Sequence, residues 1–128
     1  MKVSLEHANV TVSDPHKTAT WLDQVFGWKI RWEGESIYGG YTVHVGNDSS
    51  YLALYAPEHA ATGAADNSYN VRGGLNHLAV VVDDLDLVED RVKKAGFTPG
   101  SHADYEPGRR FYFHDSDGIE FEVVSYAA

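Results

Sequence analysis

The chain has 128 residues, of which 43% are hydrophobic, and this length and composition suit one compact globular domain. Its formal charge is −9, from 10 Lys and Arg against 19 Asp and Glu, which disfavours nucleic acid as a partner. Because there is no cysteine, disulfides and thiol chemistry are excluded. No apolar run approaches the roughly 20 residues that span a bilayer, and the N-terminus does not resemble a signal peptide. We therefore expect a cytoplasmic protein with no membrane partner.

The first strand is predicted from alternation. In residues 4–12 polar and apolar side chains alternate, which is typical of a half-buried strand. His7, Asn9 and Thr11 share its polar face.

A helix and three strands follow in the first half. Asp14 and Pro15 form an N-cap and a first helical position, and Gly27 ends the helix. Three strand-like stretches then occupy residues 28–33, 38–45 and 50–55.

The same pattern restarts after a linker that is rich in glycine and small residues. Residues 75–82 predict a strand that carries His77, and a helix then runs from a cap at Asp83 and Asp84 to Gly96. Further strand signals occupy residues 97–99, 109–114 and 119–126, and the last two flank a turn at residues 115–118.

The two halves align at an offset of 69 to 70 residues. His7 falls on His77, and Ala53 falls on Glu122. We predict an α+β fold in a single domain, made of two tandem βαβββ modules at about residues 1–57 and 75–128, with a linker at about 58–74. The modules should pair into one curved, cup-shaped mixed sheet with the helices outside.

Three residues of metal-binding types share one predicted face. His7 and His77 occupy equivalent positions, and Glu122 lies opposite the packing face of the last strand. Two imidazoles and one carboxylate suit a divalent metal that keeps open positions for a substrate. The alternative is two ordinary half-buried histidines and a surface glutamate.

Four segments resemble the vicinal oxygen chelate superfamily of glyoxalases, bleomycin-resistance proteins and ring-cleaving dioxygenases. They are LEHANVTVSD, WLDQVFGWKI, GLNHLAVVVDD and YFHDSDGIEFEV. The last resembles the family's Asp-Pro-Asp-Gly turn, with Ser116 in place of proline and the ligand glutamate four residues after the glycine. The resemblance implies that His7, His77 and Glu122 hold one divalent metal, which is Fe, Mn, Ni or Zn. It also implies a small oxygen-bearing substrate and a symmetric homodimer.

The resemblance also limits the types of reaction that we expect. Ala53 stands where glyoxalase I has a second glutamate, so that activity is disfavoured, and a lyase, an isomerase or a ring-cleaving dioxygenase is expected. Transfer to an epoxide, as in fosfomycin-modifying relatives, is weakened because only six residues follow Glu122. The alternative is a non-catalytic antibiotic-binding protein of the bleomycin-resistance type, which the acidic charge and the eight tyrosines favour.

Further site residues are predicted around these ligands. Tyr112 stands ten residues before Glu122, which resembles the spacing of the active-site tyrosine of extradiol enzymes; it either donates to a bound oxygen or forms a pocket wall. His102, expected on a loop, is a possible acid or base. The other predicted pocket residues are Asn9, Thr11, Arg110 and His114, whereas Phe111 and Phe113 should pack in the core and His16, His44 and His59 should lie at the surface.

Overall fold

The structure is a computed structural model that describes residues 1–63, 68–105 and 107–127. The chain divides into two compact units, Met1–Thr62 and Gly63–Ala128. The described residues contain two α-helices and eight strands, which form two four-stranded mixed sheets. This arrangement confirms the predicted α+β fold of two βαβββ repeats.

Unit 1 contains one helix and four strands. They are β1 His7–Thr11, α1 Pro15–Phe26, β2 Lys29–Glu35, β3 Tyr41–Gly46 and β4 Tyr51–Ala56. A 3₁₀ turn at Ile37–Gly39 precedes β3. The sheet order is β1-β4-β3-β2, in which β1 runs parallel to β4 and the other neighbours are antiparallel.

Helix α1 has the predicted ends. The Asp14 side chain accepts hydrogen bonds from the backbone N–H groups of His16 and Lys17, which otherwise lack partners in the first turn. Gly27 adopts φ 72°, a left-handed conformation that glycine reaches without a Cβ penalty. Between these caps, Leu22 and Val25 are fully buried against the sheet.

The strands of unit 1 divide their residues between two faces. On the face under α1, Val43 lies opposite Leu54 and Val45 lies opposite Leu52, and all four are buried. Alternation therefore places His7, Asn9 and Thr11 on the other face, as the sequence predicts.

Unit 2 repeats this topology. Its elements are a 3₁₀ turn Ser68–Asn70, β5 Leu78–Val81, α2 Leu85–Lys94, β6 Gly100–Tyr105, β7 Gly108–His114 and β8 Glu120–Ser125. The sheet order is β5-β8-β7-β6. The second strand of the unit, β6, begins at Gly100 and not at residues 97–99 as the sequence suggested, and His77 lies just before β5. In the part of the chain that is described, neither helix has the length and apolarity of a membrane span.

The predicted turn joins β7 to β8 and fixes their register. Oδ1 of Asp115 accepts hydrogen bonds from the backbone N–H groups of Asp117 and Ile119, and Gly118 adopts φ 80°. Phe111 and Phe113 of β7 are buried, which confirms that they pack in the core. The opposite face of β7 and β8 is therefore left for polar residues.

Candidate functional site

Polar side chains cover one face of the unit 2 sheet, opposite its phenylalanine core. In the antiparallel pair of β7 and β8, Tyr112 lies opposite Glu122 and His114 lies opposite Glu120. Arg110 shares this face because it is two residues from Tyr112 on the same strand. Strand alternation alone therefore gathers the predicted residues Arg110, Tyr112, His114 and Glu122.

His77 and Glu122 are in direct contact within this face. Nε2 of His77 lies 3.1 Å from Oε1 of Glu122, and Glu122 is only 7% exposed. Two ligand atoms that each lie about 2.1 Å from a metal, at a right angle, are about 3 Å apart. The pair therefore fits two neighbouring positions around one divalent ion.

The second nitrogen of His77 meets a second carboxylate. Nδ1 lies 3.3 Å from Oε2 of Glu120 and 3.3 Å from the hydroxyl of Tyr69. That hydroxyl donates a hydrogen bond to the same Glu120 oxygen. This bond raises the pKa of Tyr69 to about 12, because ionisation of the phenol would break it. Glu120 also lies 3.6 Å from Nε2 of His114.

Glu122 has a cationic partner on its other oxygen. Nη1 of Arg110 donates to Oε2 of Glu122 at 2.9 Å, and both side chains are nearly buried. The ring of Tyr112 contacts the edge of the His77 ring, with centroids 5.6 Å apart. A histidine, an arginine and a tyrosine thus surround one buried carboxylate.

His7, in unit 1, is held by neighbours of the same chemical types. Its Nδ1 lies 2.9 Å from Oε1 of Glu6, which also accepts a hydrogen bond from the hydroxyl of Tyr51 at 3.1 Å. The bonds from His7 and then Tyr51 lower the pKa of Glu6. The ring of Tyr51 stacks on His7 at a centroid distance of 4.8 Å.

The stack continues across the unit 1 sheet. His44 stacks on Tyr51 at 4.6 Å and contacts Trp32 at 5.1 Å, while the Arg31 guanidinium lies 4.5 Å above the Tyr51 ring. Partial burial, and then the charges of His7 and Arg31, lower the pKa of His44. The sequence expectation that His44 is a surface histidine was wrong, because it lies within this aromatic row.

The pairing of the strands agrees with the sequence repeat at the position of Glu122. In unit 1, Ala53 pairs with Asn9 of β1, and in unit 2, Glu122 pairs with Ala79 of β5. The two registers make Ala53 the counterpart of Glu122. Unit 1 therefore has a methyl group where unit 2 has a carboxylate.

The remaining predicted residues lie in different surroundings. Asn9 and Thr11 follow His7 on β1, and Thr11 borders a groove of about 580 Å³ that Tyr55 and His59 also line. His102 lies on strand β6 and not on a loop, and its Nε2 is 3.0 Å from Glu89 of α2. Since α2 covers the phenylalanine face, His102 lies on the opposite side of the sheet from Glu122, which argues against its predicted catalytic role.

Sequence reasoning assigned no role to Glu6, Tyr51, Tyr69 or Glu120. Strand alternation already placed Glu120 on the face of Glu122, two residues earlier on β8. Tyr69 had no such signal, because it lies in a glycine-rich stretch with no hydrophobic period and is 51 residues from Glu120.

Across the described residues, no group of three or more histidine and carboxylate side chains is arranged so that it could hold a metal ion. Unit 2 supplies the contacting pair His77 and Glu122, and unit 1 contains His7. The full set of three ligands stays a prediction from the sequence.

A sequence model described as the Glyoxalase/Bleomycin resistance protein/Dioxygenase superfamily matches residues 4–123. Solved structures of similar fold include a glyoxylase/bleomycin resistance protein/dioxygenase domain from Frankia sp. EAN1pec, with TM-score 0.82 and 24% identity, covering 98% of this chain and 93% of that one. The fosfomycin resistance protein FosX from Mesorhizobium loti has TM-score 0.74 and 24% identity, with coverage of 100% and 94%. A mutant FosX from Listeria monocytogenes, complexed with Mn(II) and 1S,2S-dihydroxypropylphosphonic acid, has TM-score 0.75 and 19% identity, with coverage of 100% and 95%.

Proposed function

Since the chain belongs to the Glyoxalase/Bleomycin resistance protein/Dioxygenase superfamily, we propose that it is a divalent-metal-dependent enzyme that acts on a small oxygen-bearing substrate. His77 and Glu122 are two of the proposed ligands, and the sequence pattern supplies His7 as the third. The neighbouring FosX complex with Mn(II) supports a divalent ion in general. The proposal includes a homodimer, which light scattering of the purified protein would test.

The contacts of the His77 ring carry the proposal. Each of its nitrogens faces a carboxylate oxygen, Nδ1 that of Glu120 and Nε2 that of Glu122. Carboxylates only accept hydrogen bonds, and a neutral imidazole has only one N–H to donate. A cation shared between Nε2 of His77 and Glu122 satisfies the second contact without a second ring proton. A divalent ion is such a cation, and the distance between the two atoms already suits coordination.

The other residues on the polar face of the unit 2 sheet have side chains that suit catalysis on a bound substrate. A metal in this position would polarise the substrate oxygens as a Lewis acid. Tyr112, adjacent to His77, offers a phenol that can donate to a developing negative charge. Arg110 offers a cation beside the same carboxylate. Because Ala53 replaces a second glutamate, we propose a lyase, isomerase or ring-cleaving dioxygenase and not glyoxalase I.

Elemental analysis of protein purified without a polyhistidine tag tests this proposal. We expect about one metal per chain in the unmodified protein, and loss of that metal in the variants His7→Ala, His77→Ala and Glu122→Ala. His16→Ala is the matched control, since His16 bonds Glu33 outside the proposed site. Absence of metal from the unmodified protein, even after anaerobic reconstitution with Fe, Mn, Ni or Zn, would overturn the metal-enzyme proposal.

A second function is supported by the Arg110–Glu122 contact. A guanidinium that already neutralises the buried carboxylate reduces the attraction that Glu122 offers to a dication. That arrangement, with the aromatic row of unit 1, favours a non-catalytic small-molecule-binding protein of the bleomycin-resistance type. Binding of a cationic glycopeptide antibiotic that is unaffected by EDTA would support this function against the enzyme.

A further inference from the structure

We propose that two carboxylate–tyrosine pairs, Glu120 with Tyr69 and Glu6 with Tyr51, are positioning groups for His77 and His7. Each pair holds its histidine with the proton on Nδ1, which leaves the Nε2 lone pair for a metal. The inference rests on the proposed metal-binding function and concerns residues that the family pattern does not include among its ligands.

In unit 2 the direction of the hydrogen bonds favours a proton on Nδ1 of His77, where two acceptors converge, against one acceptor at Nε2. Tyr69 has one hydroxyl hydrogen, and it is donated to Glu120. The Tyr69 oxygen and the Glu120 carboxylate can then only accept from Nδ1 of His77, which lies 3.3 Å from each. Both contacts therefore require hydrogen on Nδ1. In the neutral ring the other nitrogen, Nε2, is the metal-binding atom, and it is the one that faces Glu122.

In unit 1 the same reasoning applies to His7. Its Nδ1 lies 2.9 Å from Glu6, which can only accept. Tyr51 donates its hydroxyl hydrogen to the same Glu6 oxygen and stacks on the His7 ring. The carboxylate thus fixes the protonated nitrogen, and the stacked phenol restrains the plane of the imidazole.

The two halves build this arrangement from different positions. On the offset of 69 residues, Tyr51 at the start of β4 corresponds to Glu120 at the start of β8. The strand supplies the tyrosine in unit 1 and the carboxylate in unit 2. The missing partner comes from Glu6, next to His7, in one case and from Tyr69, in a 3₁₀ turn, in the other. Both histidines therefore have a carboxylate–tyrosine pair, although the sequence repeat does not place the two residues of the pair at equivalent positions.

A third histidine provides an internal comparison. His16 also meets a glutamate and a tyrosine, since Glu33 lies 2.7 Å from its Nε2 and accepts from Tyr41. In this case the Glu33 carboxylate lies at Nε2 of His16 and not at Nδ1. The same reasoning therefore predicts that His16 carries its hydrogen on Nε2. His16 is not a proposed ligand, and it serves as the control.

Loss of a hydrogen-bond partner behind a metal-bound histidine typically weakens metal affinity about 10–100-fold. We expect that range for Glu120→Leu and Glu6→Ala, and a smaller loss for Tyr69→Phe and Tyr51→Phe, which keep the carboxylates. Glu120→Gln can still accept through its amide oxygen and should recover part of the affinity that Glu120→Leu loses.

The test combines two measurements on the full chain. Long-range ¹H–¹⁵N NMR of metal-free protein, recorded at about pH 9, reports which ring nitrogen carries hydrogen, and zinc titration against a competing chelator reports affinity. We expect Nδ1–H in His7 and His77, a shift towards Nε2–H in the Leu and Ala variants, and the affinity losses above. Glu33→Ala should change the tautomer of His16 without changing zinc affinity.

The outcomes separate this inference from the proposed function. If the unmodified protein binds zinc but the variants change neither tautomer nor affinity, the positioning role is wrong and the metal site stands. If the tautomers respond as expected but the unmodified protein binds neither zinc nor, after anaerobic reconstitution, Fe, Mn or Ni, the metal function fails, while the hydrogen-bond assignment stands. Nε2–H in unmodified His77 would overturn the assignment in unit 2 directly.

Discussion

Arg110 and His77 bind opposite oxygens of the same carboxylate. Nη1 of Arg110 donates to Oε2 of Glu122 at 2.9 Å, and Nε2 of His77 lies 3.1 Å from Oε1. The Glu122 side chain is 9% exposed, so water does little to stabilise its charge. The Arg110 contact therefore stabilises the metal-free protein, whereas its positive charge reduces the affinity of Glu122 for a metal.

The first prediction concerns Arg110→Leu. We expect it to destabilise the metal-free protein by about 1–3 kcal/mol, because Glu122 loses one of its partners in a buried position. We also expect zinc affinity to rise about tenfold or more, because a positive charge near the site is removed. Urea unfolding with and without zinc measures the first effect, and chelator competition measures the second.

Arg109→Leu is the matched control for this prediction. Arg109 is the exposed neighbour on β7 and bonds Asp86 at 3.3 Å, so its removal should change stability by less than about 0.5 kcal/mol. The double variant Arg110→Leu with Glu122→Leu should recover much of the lost stability. Equal zinc affinity in Arg110→Leu and the unmodified protein would contradict the proposed competition.

The second prediction is a pH dependence from Glu33. The hydrogen bond from Tyr41, and then that from His16, lower the pKa of Glu33 below its ordinary 4.5. The stabilisation is therefore fully present above pH 4.5 and is lost as the pH falls through the lowered folded-state pKa. In Glu33→Gln, the unfolding free energy should therefore depend less on pH in the acid range. Measurement of the unfolding free energy at a series of pH values checks this.

The same bond acts in the alkaline range through Tyr41. Its pKa is raised above 10.0, chiefly by the bond to Glu33, so this contribution is present below pH 10 and is lost as the pH rises through the folded-state pKa. Glu35→Gln removes a carboxylate whose charge raises the pKa of Tyr41 less than the Glu33 bond does, so it should change the pH profile less. If both variants show the same pH profile, the assignment to the Glu33 bonds fails.

Much of the fold could be predicted because its signals are local. The Asp14 cap, the Gly27 terminus and the Asp115 turn each depend on side chains within a few residues. Strand β6 was misplaced because residues 100–105 show no apolar alternation, and their pairing with β7 includes an irregularity between Gly100 and Ala103. Its position is set by a partner strand and not by its own sequence pattern.

The candidate site could be predicted only in part, for the same reason. Alternation placed Tyr112 and Glu122 on one face, since period two is enough to assign a strand residue to a face. The contact of Tyr69 with Glu120 joins a turn to a strand far along the chain. No spacing rule predicts such a contact, and it depends on how the loop folds back on the sheet.

The third prediction concerns the phenylalanine core under the site. Phe113 is 1% exposed, and its ring lies 5.4 Å from Phe121 and 5.7 Å from Phe97. Phe113→Ala should cost about 3–5 kcal/mol in unfolding free energy, because it removes this packing and leaves a cavity. Phe113→Leu should cost clearly less. Equal losses in the two variants would show that cavity size does not control stability here.

The last prediction uses the correspondence between Ala53 and Glu122. We expect Ala53→Glu to destabilise the metal-free protein, because Ala53 is 2% exposed and burial of a charged carboxylate costs free energy. If the position corresponds to a ligand, added zinc should raise the melting temperature of this variant more than that of the unmodified protein, since tighter binding gives a larger stabilisation. Ala53→Gln, of similar size but uncharged, is the control for bulk. A zinc-dependent shift in Ala53→Glu no larger than in Ala53→Gln would mean that the register places Ala53 outside the reach of the metal, and glyoxalase I chemistry would then be disfavoured by position as well as by residue type.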